Sequence, residues 1–174
     1  MVAQLQPAPR ADVAPTTVVR ITVDALVEVG RTMQGIALAP VGAATPFDAD
    51  ENPKLDCGST ISLTRPGWTW NLALFGTTES CKVLARALMC MEPSEEIGNA
   101  ELADALGEIL NMMAGVAKRK LPAEDGKCLL LGLPLFLSGT DCFRYLAKGI
   151  KVYCQKVTGP DVHVEVIIVS KEGS

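Results

Sequence analysis

One stretch of this chain occurs twice, and that repeat limits the folds open to it. Val23-Asp-Ala-Leu-Val-Glu-Val-Gly-Arg-Thr-Met-Gln-Gly-Ile36 aligns without gaps on Ala103-Asp-Ala-Leu-Gly-Glu-Ile-Leu-Asn-Met-Met-Ala-Gly-Val116. Asp24 falls on Asp104, Ala25 on Ala105, Leu26 on Leu106, Glu28 on Glu108, Met33 on Met113 and Gly35 on Gly115. Any two amphipathic helices share an apolar rhythm, but rhythm alone does not match Asp, Glu and Gly at fixed places. The segments therefore read as an internal duplication. It predicts two helices packed side by side about a pseudo-twofold axis, with Gly35 and Gly115 allowing close approach.

The rest of the chain is read around these helices. Residues 1–17 are rich in Pro and Ala, lack apolar periodicity and are expected to form a flexible tail, with one domain over 18–174. The first helical pattern runs from Thr22 to near Gly35, and Pro40 to Gly58 reads as a loop. Thr60–Arg65 and Thr69–Phe75, separated by Pro66-Gly67-Trp68, read as a hairpin. Thr77 or Thr78 can cap a helix from Glu79 to Met91 that Pro93 stops, and Asn99 opens a long helix to Lys120, stopped by Pro122. Cys128–Leu137, Arg144–Val157 and Val162–Ser170 are β-prone, with Gly149 marking a bend or bulge and Pro134 an edge or a bulge. The predicted class is α+β, a mainly antiparallel sheet with the two related helices packed on one face.

Composition narrows the function classes. A net charge of −4, with no basic cluster beyond Lys118-Arg119-Lys120, argues against a nucleic-acid partner. Those three cations complement a helix C-terminus instead. The six cysteines form no C-x-x-C pair and His163 is the one histidine, so the usual zinc patterns fail and no metal site is expected. The opening residues carry no apolar signal stretch, and Leu129–Leu137 is too short to span a bilayer. The expectation is a cytoplasmic protein with no membrane association and mostly buried, reduced thiols. His163 reads as an ordinary strand histidine, and Met89, Cys90 and Met91 as core filler. Trp68 and Trp70 read as core packing, with a subunit contact as the alternative.

The second copy of the repeat carries the chemistry. Leu102, Leu106, Ile109, Met113 and Val116 recur at spacings of four and three, making one apolar stripe. Asp104, Glu108 and Asn111 make a second stripe nearly opposite. Burying the first turns the carboxylates and the amide outward, with Glu108 and Asn111 neighbours at i, i+3. Gly107 beside them has two readings: it keeps this surface low for a partner, or it serves local packing.

Asp104-x3-Glu108-x2-Asn111, followed after 22 residues by Pro134, resembles the signature of the CheC/CheX/FliY chemotaxis phosphatases. The resemblance covers residues 18–172 and implies a phosphatase acting on the aspartyl-phosphate of a CheY-like response regulator. Asn111 would orient the attacking water and Glu108 would pair with the regulator's lysine. Asp104 and Pro134 would shape the contact surface. The protein would need no cofactor of its own, the Mg residing in the regulator. In the first copy, Asp24-x3-Glu28-x2-Arg31 repeats the spacing, but Arg31 has donors only and cannot accept a hydrogen bond from water. That second site is expected to be dead, which fits the single-site CheX-like type better than the two-site CheC-like type. The resemblance also implies a homodimer paired through its sheets. The alternative function is a non-catalytic adaptor of the same fold that binds a response regulator.

Overall fold

The computed structural model describes residues 13–33, 35–47, 55–65, 68–121, 129–139 and 151–170. The order is α1 (Pro15–Thr32), β1 (Ala39–Pro46), β2 (Cys57–Arg65), β3 (Trp68–Gly76), α2 (Thr78–Met89), α3 (Asn99–Lys120), β4 (Leu130–Leu131), β5 (Leu135–Ser138), β6 (Lys151–Gly159) and β7 (Val162–Ser170). The strands form one antiparallel sheet, β1-β6-β7-β3-β2-β4, with β5 also on β2.

This order is the signature of a duplication. Exchanging α1 with α3, β1 with β4/β5, β2 with β6 and β3 with β7 reverses the strand order and leaves it otherwise unchanged. Adding 94 to the numbers of β2 and β3 (57–65 and 68–76) gives β6 and β7 (151–159 and 162–170). The central pair Ala73↔Ile167 is related by the same offset, so the pseudo-twofold axis runs through it.

All three helices lie on one face. Ile61, Leu63, Trp70, Leu72, Leu74, Val164, Val166 and Ile168 join Val19, Leu26, Leu84, Leu106 and Met113 in a single core. The opposite face carries a smaller buried set including Ala73, Phe75, Val152 and Ile167. Alternation along each strand sends neighbours to opposite faces, which is why β3 and β7 feed both clusters. No helix among the described residues is long and apolar enough to cross a membrane.

Several expectations need correction. The first helix starts at Pro15, not Thr22, so Pro15–Thr17 leave the expected tail, while residues 1–12 lie outside the described residues. Proline suits the first helical turn because its missing N–H would be unsatisfied there anyway. Val18 and Val19 extend the buried stripe, and the Thr22 hydroxyl donates to the carbonyls of Val18 (2.9 Å) and Val19 (2.8 Å), which lets it be buried.

The expected 40–58 loop contains β1, an edge strand whose Pro40, Gly42 and Pro46 hide the β signal in the sequence. Its pairing with β6 holds despite a register shift between Val41 and Thr45. The second helix ends at Cys90, which takes the left-handed conformation (φ 56°), before Pro93 is reached. Met89 and Cys90 are exposed, so they are not core filler. Gly35 and Gly115 do not bring the helices together. Gly35 lies beyond α1 with φ +89°, and a Cβ at either glycine would meet open space. Pro122, Gly149 and the expected strand start at Arg144 fall outside the described residues. Of the expected Cys128–Leu137 strand, Cys128 lies outside the described residues and the rest holds two short strands, β4 and β5, separated by 132–134. Cys57 and Gly58 join β2. The remaining predicted elements stand, with Thr77 as the cap of α2 (Ser80 N–H to its Oγ1, 3.2 Å).

Candidate functional site: the exposed face of helix α3

Helix α3 is held by its apolar stripe. Leu102, Leu106, Ile109, Met113 and Val116 are all buried, as are Leu110 and Ala114. Its N-terminus is closed by the Gly98 N–H donating to Glu101 Oε2 at 2.8 Å, and Lys118, Arg119 and Lys120 sit in its last turn. Truncating a buried leucine such as Leu106 would cost about 2–5 kcal/mol. The opposite stripe is different. Asp104, Glu108 and Asn111 are exposed, and surface changes of this kind shift stability by only about 0.5 kcal/mol. Stability therefore does not account for that face.

Among the described residues, the side chains of Glu108 and Asn111 have no hydrogen-bond or ion-pair partner. A carboxylate, an acceptor only, and an amide, both donor and acceptor, stand one turn apart with their bonding capacity open to another molecule. Pro134 reaches the same helix. It lies between β4 and β5, and a Cβ built on Gly107 would stand 3.4 Å from Pro134 Cβ. Gly107 is buried, and a Cβ there would make an ordinary van der Waals contact with Pro134, so Pro134 packs on α3 beside Glu108. Pro134 sits at the sheet edge, where three residues lie opposite two of β2, so the edge and bulge readings are both met. The structure thus gathers Asp104, Glu108, Asn111 and Pro134 on one side of one helix.

The corresponding stripe of α1 is arranged otherwise. Asp24 and Arg31 are exposed, but Glu28 is engaged. Lys120 Nζ lies 2.8 Å from its Oε2 and Arg119 Nη2 lies 3.9 Å from its Oε1. The hydrogen bond from Lys120 holds the Glu28 carboxyl below the ordinary carboxylate range, with the charges of Lys120, Arg119 and Arg31 acting in the same direction. These two partners escape a sequence reading that assigns Arg119 and Lys120 only to the helix end. The contact spans 92 positions, and no local spacing announces it.

Other groups noted in the sequence lie away from this face. His163 is exposed on β7, its backbone N–H donating to Ser80 Oγ at 3.0 Å, and Trp70 is buried in the core. Cys57, Cys81 and Cys154 are buried free thiols, whereas Cys90 is exposed. Among the described residues no group of three His, Cys, Asp or Glu could hold a metal ion.

Comparison with known proteins bears on the fold and the family. The structure resembles CheX from Vibrio vulnificus (TM-score 0.68, 23% identity, 89% of this chain and 99% of that one). It also resembles CheX from Desulfovibrio desulfuricans (TM-score 0.67, 17% identity, 89% and 99%). A third similar structure is the CheX-CheY-BeF3-Mg complex from Borrelia burgdorferi (TM-score 0.65, 17% identity, 92% and 98%). No curated protein matches the chain. The family model described as "Chemotaxis phosphatase CheX" matches residues 60–158, more than half of the chain, and that span includes α3 with Glu108 and Asn111 as well as Pro134. The chain belongs to the CheX family of chemotaxis phosphatases.

Proposed function

We propose that this protein hydrolyses the aspartyl-phosphate of a CheY-like response regulator, with Asn111 and Glu108 as its working residues. The observation that carries the reading is the open pair on α3: an amide and a carboxylate on one exposed face, free of internal partners, in a chain of the CheX family. A relative of this fold, the Borrelia burgdorferi CheX, is seen in complex with CheY, BeF3 and Mg, which supports a regulator as the partner here.

The chemistry asks little of the phosphatase. The regulator supplies a divalent metal and a lysine beside its phosphoryl group, so charge stabilisation comes largely from the substrate. What it lacks is a positioned water. The Asn111 amide can accept one hydrogen from that water while its NH2 donates to a neighbouring oxygen, setting the water in line with phosphorus. The water oxygen forms a bond to phosphorus as the bond to the aspartyl oxygen breaks, releasing phosphate and the free carboxylate. This is the positioning role that an amide also plays in GTP hydrolysis. Glu108, one turn away, pairs with the regulator's lysine and fixes the register of insertion. Asp104 and Pro134 shape the contact surface. The same reading carries a cytoplasmic location and a homodimer, the latter open to sedimentation analysis.

The test is phosphate release from a panel of phosphorylated regulators by wild type, Asn111→Ala and Glu108→Ala. Wild type should accelerate release from at least one regulator, and Asn111→Ala should lose about 100-fold or more of that acceleration. Binding of a regulator without acceleration by wild type would transfer the function to the adaptor reading.

A further inference from the structure

The corner between β4 and β5 is built to expose a leucine. Leu131 pairs with Leu63 and Leu135 with Thr60. On β2, two residues, Ile61 and Ser62, separate those partners, whereas Gly132, Leu133 and Pro134 lie opposite them. The extra residue makes this a bulge on the outermost strand of the sheet, which is also why a proline is accepted there.

The bulge is pinned from both sides. The Gly132 N–H donates to the Ser62 carbonyl at 2.8 Å, and a Cβ at Gly132 would displace the Ser62 hydroxyl. Pro134 closes on Gly107 of α3. Leu133, held between them, is 89% exposed, and Leu131, on the same side as the core residue Leu63, is 36% exposed. Leu130 and Leu135 are exposed too, but they pair with Thr64 and Thr60, whose alternation sends them to the helix-free face.

A leucine held in solvent at this corner does nothing for the core, and since singly exposed leucines are common, what distinguishes this one is its place in the fold. Its position decides the partner. Leu133 adjoins Pro134, Pro134 rests on the residue before Glu108, and the apolar corner is therefore continuous with the open Glu108/Asn111 face. We propose that Leu133, backed by Leu131, is an apolar anchor for the same response regulator, gripping surface beside its phosphorylation pocket while Asn111 enters the pocket. This rests on the phosphatase reading above and adds to it a determinant of affinity that lies outside the Asp/Glu/Asn/Pro signature.

The experiment measures dephosphorylation of the best regulator of the panel as a function of its concentration, for wild type, Leu133→Ala and Leu133→Asp. Leu133→Ala should raise KM about tenfold, the worth of one leucine side chain leaving a contact, with kcat unchanged. Leu133→Asp should raise it further. Both variants should keep the wild-type melting temperature, because the residue contributes nothing to the core. Unchanged KM beside an active wild type would overturn the anchor and leave the phosphatase standing. A fall in kcat at constant KM would overturn it in favour of a role in placing α3. If Leu133→Asp converts a larger species to a smaller one in sedimentation without changing KM, the corner joins two copies of this chain and the proposal fails. A wild type that accelerates no regulator would remove both readings together.

Discussion

Helices α1 and α3 are copies, and their outer faces differ in what engages them. Asp24, Glu28 and Arg31 on α1 align with Asp104, Glu108 and Asn111 on α3. On α3 the glutamate and the amide are open; on α1 the glutamate is neutralised from inside the molecule. The reason lies in the helix ends. α1 stops at Thr32, which aligns on Met112, whereas α3 continues to Lys120, about two turns further. Those extra turns carry Arg119 and Lys120 to Glu28. α1 has no such extension, and among the described residues no cation reaches Glu108. One copy thus supplies the cations that pair with Glu28 of the other, while Glu108 has no such partner among the described residues. An acidic residue in a repeated motif is available only if no cation elsewhere in the fold has claimed it.

The comparison can be broken most decisively at the third motif position. On the proposed reading Asn111→Ala abolishes acceleration, whereas Arg31→Ala leaves phosphate release at the wild-type rate. A collapse in Arg31→Ala would mean that α1 takes part in catalysis. A subtler effect is expected from building the Asp/Glu/Asn motif on α1 in an Asn111→Ala background. Arg31→Asn alone should stay inactive, because Glu28 remains paired with Lys120. Adding Arg119→Ala and Lys120→Ala should restore a small, measurable fraction of activity. Recovery with Arg31→Asn alone would show that the ion pair is not the lock.

The smallest effect concerns stability. Glu28 has its pKa lowered in the folded state, chiefly by Lys120, so its pairing stabilises the fold above the ordinary carboxylate pKa of about 4.3. That contribution is lost as pH falls through the lowered folded value. Glu28→Gln should therefore melt slightly below wild type at neutral pH and low salt. The gap should close in acid and in high salt, as expected of an exposed pair. A gap that persists at low pH would assign the loss to packing instead of charge.

The division of α3 into a buried and an exposed stripe was legible in the sequence because it rests on local periodicity. Spacings of four and three separate the stripe of Leu102, Leu106, Ile109 and Met113 from that of Asp104, Glu108 and Asn111, and burial follows that division. The β2–β3 hairpin and β7 were legible for the same reason, their β-prone runs being bounded by turn residues. β1 was not, since an edge strand of small residues and prolines shows no alternation and is defined by its pairing with β6. The start of α1 was obscured in part by Thr22, whose hydroxyl bonds back to the carbonyls of Val18 and Val19 in the preceding turn.

The same glycine marks the boundary between the two kinds of knowledge. Gly35 and Gly115 occupy matching places in the repeat, yet Gly35 stands beyond its helix at φ +89° and Gly115 stays inside one. Sequence alone determined that each copy forms an amphipathic helix and that the copy bearing Glu108 and Asn111 turns them to solvent. Both follow from side-chain period and from the free energy of burying apolar groups. Only the tertiary structure decided where each helix ends, that Lys120 reaches Glu28, and that Pro134 closes on Gly107. Those outcomes depend on contacts between residues far apart in the chain, which exist only once the sheet has brought its two halves together.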